Sequence, residues 1–379
     1  SRCLAARRPM PLGAPTSEPV RLEAAFSPVP FAELPGWADD DHLAAFRAFV
    51  RSAPALRDAA DRAPSQTRTA GVALVAAAEA AQATDIATLD AARIFFEKAF
   101  VPHRVEHGGA EGLLTGYYEP VLDAAREAGD IFRVPIYRRP PDLVNLVGEA
   151  ERGALADGLT HARKTASGVE PYATRAEIEG GALAGLGLEL VWLDDPVDAF
   201  FLHVQGSGRI RLAGGESVRI TYDGKNGHPY TSIGRYLIDT GAMAAEEMSL
   251  DALKVWLTAH PDEARAVMQQ NRSFVFFREL GGEADAPLGA LGTGLSDGRS
   301  LAVDTGYHAL GTPIYVSAPT LKPWDERGFA RLMIAQDVGS AIRGPERGDI
   351  YFGSGEDAGR LAGSTKHAGR FFVLLPRGA

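Results

Sequence analysis

The sequence has 379 residues, roughly twice a common single-domain length, so two domains are expected. Apolar residues make up 45% and charged residues 23%, ordinary shares that exclude global disorder and a fibrous chain. A net charge of −10 argues against a general nucleic-acid binder; the single cysteine, Cys3, leaves no internal disulfide and no cysteine-based zinc cluster; no apolar run approaches the ~20 residues of a membrane helix.

Residues 1–36 are proline-rich and poorly periodic, which predicts an extended arm with little structure of its own. The start, Ser1-Arg2-Cys3, has no apolar signal core before it and reads as mature, truncated or cytosolic. Cys3 reads more plainly as a bystander than as the remnant of a lipid anchor. From Ala38 to Arg51 the pattern is helical, with Asp39, Asp40 and Asp41 at the N-terminus and Leu43, Phe46, Phe49 and Val50 as one apolar stripe. An alanine-rich helix follows around Val72–Ala81. A third is expected over Leu89–Phe100, burying Leu89, Ile94, Phe95 and Ala99, with Pro102 as its stop.

After Leu113 the character changes. Leu113–Val121, Ile131–Tyr137, Leu188–Leu193, Phe200–Gln205 and Arg209–Leu212 are short, rich in β-branched and aromatic residues and punctuated by Gly and Pro, so they read as strands. Thr174-Arg-Ala-Glu177 has the form of a capping box. Helices return at Ser232–Asp239, Leu250–Ala259 and Asp262–Gln269. The end is strand-like: Phe274–Arg278, Leu301–Val303, Pro313–Val316, Arg331–Ala335, Ile350–Phe352 and Phe371–Leu375. This order is not a strand–helix alternation, which disfavours a doubly wound parallel sheet. A helical and β part split by an inserted β domain fits better.

Several motifs carry possible chemistry. His103-Arg-Val-Glu-His107 spells H-x-x-E-H, but Pro102 before it and Gly108-Gly109 after it leave a zinc-binding helix no room, so it reads as a solvated helix exit. Ser207 and Ser354 each stand between glycines, yet neither has the G-x-S-x-G form of a nucleophile elbow, and the nearby His203 has no assigned partner. Glycines around a serine more often mark a tight turn or a close backbone approach. Phosphate-binding and dinucleotide-binding glycine motifs are absent from the sequence.

The richest stretch is Ser300–Gly355. Asp304, Asp337 and Asp349 each stand at an end of an apolar, strand-like run, where they point into a cleft or simply cap a turn. A carboxylate among apolar neighbours has a raised pKa and can serve as a general acid. A second cluster is aromatic and polar: Thr115-Gly-Tyr-Tyr-Glu-Pro120, His203-Val-Gln-Gly-Ser-Gly208 and Tyr222-Asp-Gly-Lys-Asn-Gly227. Stacking faces, amides and backbone access together suit a sugar; half-buried core tyrosines are the plainer alternative.

These blocks, in this order, resemble the membrane-bound lytic murein transglycosylase A family from Gly112 to Pro376. The resemblance rests on Leu114–Pro120, Phe201–Arg209, Tyr222–Tyr230, Asn271–Phe277 and the aspartate stretch 301–355. It implies a mainly β protein with peripheral helices. A double-psi β-barrel domain would be built from residues 1–116 and 223–379, a smaller β-barrel domain would be inserted at 117–222, and a groove between them would hold a glycan strand. It implies cleavage of the β-1,4 bond between N-acetylmuramic acid and N-acetylglucosamine, leaving a 1,6-anhydromuramic end.

Asp349 matches the family's catalytic acid, Asp337 a supporting position and Asp304 a structural one. Thr115, Tyr117, Gln205, Ser207, Lys225 and Asn226 fall in blocks that match the substrate groove. No cofactor, metal or nucleic acid is implied. The implied partners are peptidoglycan glycan strands, with lipid attachment to the outer membrane and cell-wall synthesis proteins as further expectations. The implied location is the cell envelope, on the periplasmic side of the outer membrane. The segment Leu288–Arg299 departs from the family pattern in detail, and the N-terminal arm has no evident lipobox. A hydrolase on the same scaffold and a non-catalytic peptidoglycan-binding module remain the alternatives.

Overall fold

In the computed structural model, residues 22–61, 71–109, 111–146, 159–281 and 285–378 are described. The N-terminal helices are α1 (His42–Asp61), α2 (Val72–Gln82) and α3 (Leu89–Ala99). Asp41 accepts from the Ala44 amide and Thr88 from the Ala91 amide, satisfying N–H groups that the first helical turn leaves orphaned. Phe46 and Phe49 of α1 pack against Phe95 and Phe96 of α3 at ring separations of 5.1–6.4 Å.

α3 buries a different face from the one its sequence predicts. Its buried residues are Ala92 and Phe96, whereas Leu89 is 53% and Ile94 43% exposed. Positions 92, 95, 96 and 99 follow the helical repeat, and Ile94 lies on the opposite side of that stripe.

The chain runs from α3 directly into β2 (Phe100–His107), so the His103–His107 motif is part of a strand and not a helix exit. β1 (Ala24–Pro28) pairs antiparallel with β2, giving the end of the N-terminal arm a regular structure that its composition did not suggest. Residues 1–21 of that arm, including Cys3, lie outside the described residues.

The remaining strands are β3 (Leu113–Glu119), β4 (Val121–Ala125), β5 (Val134–Tyr137), β6 (Leu143–Asn145), β7 (His161–Thr165), β8 (Gly168–Glu170), β9 (Glu189–Leu193), β10 (Ser207–Leu212), β11 (Ser217–Lys225), β12 (Val275–Glu279), β13 (Ser300–Val303), β14 (Pro313–Ala318), β15 (Phe329–Asp337), β16 (Arg347–Ser354), β17 (Lys366–Ala368) and β18 (Arg370–Pro376). One nine-stranded sheet has the order β1-β2-β18-β14-β15-β13-β16-β3-β17, and its hydrogen-bonded order runs open from β1 to β17. A six-stranded sheet has the order β12-β11-β10-β4-β9-β5, and β6, β7 and β8 make a small third sheet. The molecule is thus mainly β with peripheral helices. The second sheet draws its strands from Val121 to Glu279 and reaches past the 117–222 segment, because β12 pairs with β11.

Phe200–Gln205 is helical, not a strand. It belongs to α4 (Pro196–Gln205), where Asp195 accepts from the Val197 amide and Pro196 occupies the first helical position. α4 ends at Gly206, whose φ of 79° an L side chain rarely adopts. Thr174–Glu177 forms the expected capping box, and α5 (Ile233–Asp239), α6 (Leu250–Ala259) and α7 (Pro261–Met268) follow the sequence reading closely. α8 (Glu356–Ser364) escapes that reading and packs on β3 and β16.

The two larger sheets join at Glu119, the last residue of β3. Its buried carboxylate accepts two hydrogen bonds from Arg219 of β11 and one from the Ser354 hydroxyl of β16. A desolvated, bidentate pair of this kind fixes geometry as well as charge.

Candidate active site

A β-bulge aims the key side chains. Along the β13–β15 pair Leu301 faces Ala335, but Ala302 faces Asp337, so Gln336 is the extra residue. Gln336 turns into the core and donates to the Ala48 carbonyl and the Ser52 hydroxyl of α1. Asp337, the last residue of β15, is left opposite Ala302. On its other side Ala302 faces Asp349 of β16, Asp349 faces Thr115 of β3, and Thr115 faces Lys366 of β17. Two carboxylates therefore flank one small residue, their Cα atoms two strand spacings or about 10 Å apart. Strand alternation places Arg347, Asp349 and Tyr351 on one face of β16, and Thr115, Tyr117 and Glu119 on one face of β3.

The two aspartates differ in what holds them. Asp337 is saturated: Oδ1 accepts from the Ala290 and Val338 amides, each at 2.9 Å, and Oδ2 accepts from the Tyr117 hydroxyl at 2.9 Å. Asp349 Oδ1 accepts from the Thr115 hydroxyl at 2.5 Å, and no partner of Oδ2 is found among the described residues. Burial pushes the Asp337 carboxyl up to about 6 against the pull of its three donors, and the nearby Asp349 charge adds to the rise. Burial also raises the Asp349 carboxyl, opposed by the Thr115 hydrogen bond and the Arg347 charge. Tyr117, buried beside both carboxylates, is held well above its ordinary value, and its ring lies 5.3 Å from that of Tyr351.

The structure gathers the other sequence-derived candidates unevenly. Thr115, Tyr117, Asp337 and Asp349 are brought together. Lys225 reaches across from β11 and its Nζ donates to the Ser340 hydroxyl at 3.2 Å, three residues beyond Asp337. Burial, with Arg343 as a neighbour, lowers the Lys225 ammonium below its ordinary range. Gln205, at the end of α4, uses its side-chain carbonyl to accept from the Tyr118 amide at 3.1 Å, so it braces β3 from behind Tyr117.

Asn226 is fully buried, and its amide is spent on the Ala173 and Arg272 carbonyls and the Phe274 amide. Ser207 is buried at the start of β10, opposite Thr221. Asp304 ties two loops together by accepting from the Gly306 and Gly344 amides. Ser354 is engaged with Glu119. His203 is buried against the Arg175 guanidinium, in the wall of a separate cavity of about 590 Å³ whose lining includes none of Asp304, Asp337 and Asp349. Burial and Arg175 hold its imidazole well below the ordinary range, so it stays neutral.

Arg347 was missed from the sequence. The signal was present, since it precedes Asp349 by two residues on the same strand face. Among the described residues no group of three or more His, Cys, Asp or Glu side chains is placed to hold a metal ion, and no helix is long and apolar enough to cross a membrane.

Residues 113–278 match the MltA specific insert domain and residues 299–375 match the 3D domain. Membrane-bound lytic murein transglycosylase A of Vibrio cholerae is 36% identical over 269 residues, 69% of this chain and 65% of that protein. The chain thus matches somewhat under two thirds of the length of this curated relative. The crystal structure of a membrane-bound lytic murein transglycosylase from Agrobacterium tumefaciens aligns with a TM-score of 0.85 at 39% identity, covering 93% of this chain and 98% of that one. The crystal structure of E. coli MltA with bound chitohexaose aligns with a TM-score of 0.63 at 30% identity, covering 95% of each chain. With its insert domain, its aspartate-bearing C-terminal sheet and its whole-chain likeness to these structures, this chain belongs to the MltA family.

Proposed function

We propose that the protein is a lytic transglycosylase that cleaves the β-1,4 bond between N-acetylmuramic acid and N-acetylglucosamine in peptidoglycan, with Asp349 as its single general acid and base. The observation that carries this reading is the contrast between the two carboxylates. Asp337 has both oxygens occupied, whereas Asp349 keeps Oδ2 free of partners among the described residues. One available carboxyl with a raised pKa is what an intramolecular mechanism needs. Protonated Asp349 gives its proton to the leaving glycosidic oxygen as the bond to C1 breaks. The C6 hydroxyl of the muramic residue then forms the new bond to C1, and the Asp349 carboxylate takes the hydroxyl proton. Water takes no part, and proximity makes the internal attack fast.

In this reading Thr115 orients Asp349, and Asp337 and Tyr117 form the fixed floor of the groove. Lys225 closes the groove from the second sheet. Gln205, Ser207 and Asn226 support the walls from inside, and Asp304 has a structural role. The parallel pairs β13–β15 and β16–β3 support reading the nine-stranded sheet as a double-psi barrel. The smaller inserted unit is best bounded by strand membership, from Val121 to Glu279. The chemistry places the protein in a bacterial cell envelope facing peptidoglycan. A lipid link to the outer membrane, work on its periplasmic side and contacts with cell-wall synthesis proteins complete the proposal.

The functional test is digestion of purified murein sacculi. Soluble muropeptides are expected; sacculus binding without release overturns the catalytic reading. Asp337→Asn separates the carboxylates by two readouts. Turnover is expected to fall less than in Asp349→Asn, and an equal or greater loss reverses their roles. The second readout is stability. The folded Asp337 pKa of about 6 lies above its ordinary 3.8, so the native state binds the extra proton between these values. The stability this contributes is complete below about 4 and lost as pH rises through about 6. Relative to Asp337→Asn, the wild type should therefore lose unfolding free energy across that window in urea titrations at several pH values. A constant difference refutes the burial argument.

A further inference from the structure

We propose that Arg347 is a positioning residue for the acid: acting through the Thr115 hydroxyl, it fixes which oxygen of Asp349 carries the transferable proton. This inference rests on the reading of Asp349 as the general acid. Arg347 Nη2 donates to Thr115 Oγ1 at 2.9 Å, and Thr115 Oγ1 lies 2.5 Å from Asp349 Oδ1. A guanidinium only donates, and a hydroxyl has one proton and two lone pairs. With Arg347 on a lone pair, the Thr115 proton is directed at Asp349 Oδ1. A carboxyl whose Oδ1 is held as an acceptor carries its own proton on Oδ2, the oxygen without a partner among the described residues. The transferable proton therefore sits where a substrate oxygen can meet it.

Arg347 is itself held. Its Nη1 donates to the Gly348 carbonyl at 2.5 Å and to the Leu113 carbonyl at 3.4 Å. The groups disposed around Asp349 are few. Tyr351 follows it on the same face of β16, Thr115 and Tyr117 come from β3, and Asp337 lies across β13. Lys366 is one register step beyond Thr115, Lys225 comes from β11 in the second sheet, and Arg343 lies in the β15–β16 loop beside Asp304. The opposite face of β3 and β16 is covered by α8, through Gly116, Phe352 and Ala362. Among these groups Arg347 is the cation whose charge acts on the Asp349 carboxyl.

The test is Arg347→Met, read by steady-state pH profiles on soluble glycan strands and by ¹³C NMR titration of the Asp349 carboxyl. Without the cation and the directed hydroxyl, Asp349 holds its proton to higher pH. The high-pH limb of kcat and the carboxyl titration both move up, kcat below the limb falls about tenfold, the loss typical of a misdirected charge-assisted hydrogen bond, and KM is unchanged. Arg347→Lys, which keeps a charge and a donor, returns the limb toward wild type. The double variant Arg347→Met/Thr115→Val loses no more turnover than either single change, because both act through one chain of contacts. An Arg347→Met protein with lowered Tm but an unmoved Asp349 titration overturns the proposal. If that variant does not fold, Thr115→Val alone carries the same decision: an upward shift supports it and an unmoved titration overturns it. The titration needs no turnover, so it still decides the point if Asp349→Asn stays active and the functional reading falls.

Discussion

Asp349→Asn is expected to lower turnover on murein by ~10²–10⁴-fold, the cost of losing one general acid and base, while glycan binding is retained. The reasoning is local. The substitution roughly keeps size and leaves an amide oxygen able to accept from the Thr115 hydroxyl, so the β3–β16 row survives. What disappears is the proton on the oxygen that no described protein group occupies. Because Asp337 has both oxygens committed to Ala290, Val338 and Tyr117, it cannot take over without breaking those contacts. Release of soluble fragments, measured beside sacculus co-sedimentation, separates the loss of chemistry from the loss of binding. Activity near wild type contradicts the assignment.

The largest expected loss of stability comes from Asp40→Ala. Asp40 and Arg299 form a bidentate pair at 2.8 and 2.9 Å, with side chains only 2% and 4% exposed. Asp40 also accepts from the Leu332 amide of β15 at 2.7 Å. Removing the carboxylate strands a buried guanidinium and an amide, which costs about 3–5 kcal/mol for a broken buried pair. Asp39→Ala, at an exposed neighbour, should stay within about 0.5 kcal/mol of wild type. Urea unfolding of the two variants checks this, and similar small losses in both contradict it.

Asp40 also illustrates where sequence reading stops. In the sequence it is one of three consecutive acids before a helix, and the dipole argument treats them alike. In the fold each has a different fate: Asp39 is exposed, Asp41 caps α1, and Asp40 anchors Arg299 beside β15. The difference comes from a contact spanning more than 250 residues, which local pattern does not contain. Phe200–Gln205 failed for the opposite reason. Its aromatic and β-branched residues favour a strand, yet Asp195-Pro196 is a strong helix start and decides the outcome. That signal was readable.

Within the site, the three aspartates stood out because each bounds an apolar run, and two of them do face each other across β13. Their unequal engagement was not legible, because it depends on the bulge at Gln336 and on the Ala290 amide, 47 residues away in sequence. Asn226 and Ser207 fall in blocks that match the family's groove, and the fold buries both side chains. The glycine after Asn226 serves close packing. A Cβ on Gly227, where φ is +88°, would lie 2.3 Å from the His161 carbonyl oxygen. The tight turn that forbids a side chain there also buries Asn226 and turns its amide inward.

The most direct test of the account is mass spectrometry of the muropeptides that the protein releases from purified sacculi, with Asp349→Asn run in parallel. An attack by the C6 hydroxyl predicts products lighter by one water than hydrolytic fragments, carrying a 1,6-anhydro end and absent with the variant. Hydrated, reducing-end products from the wild type would contradict it, because they require a water nucleophile and a second working carboxylate.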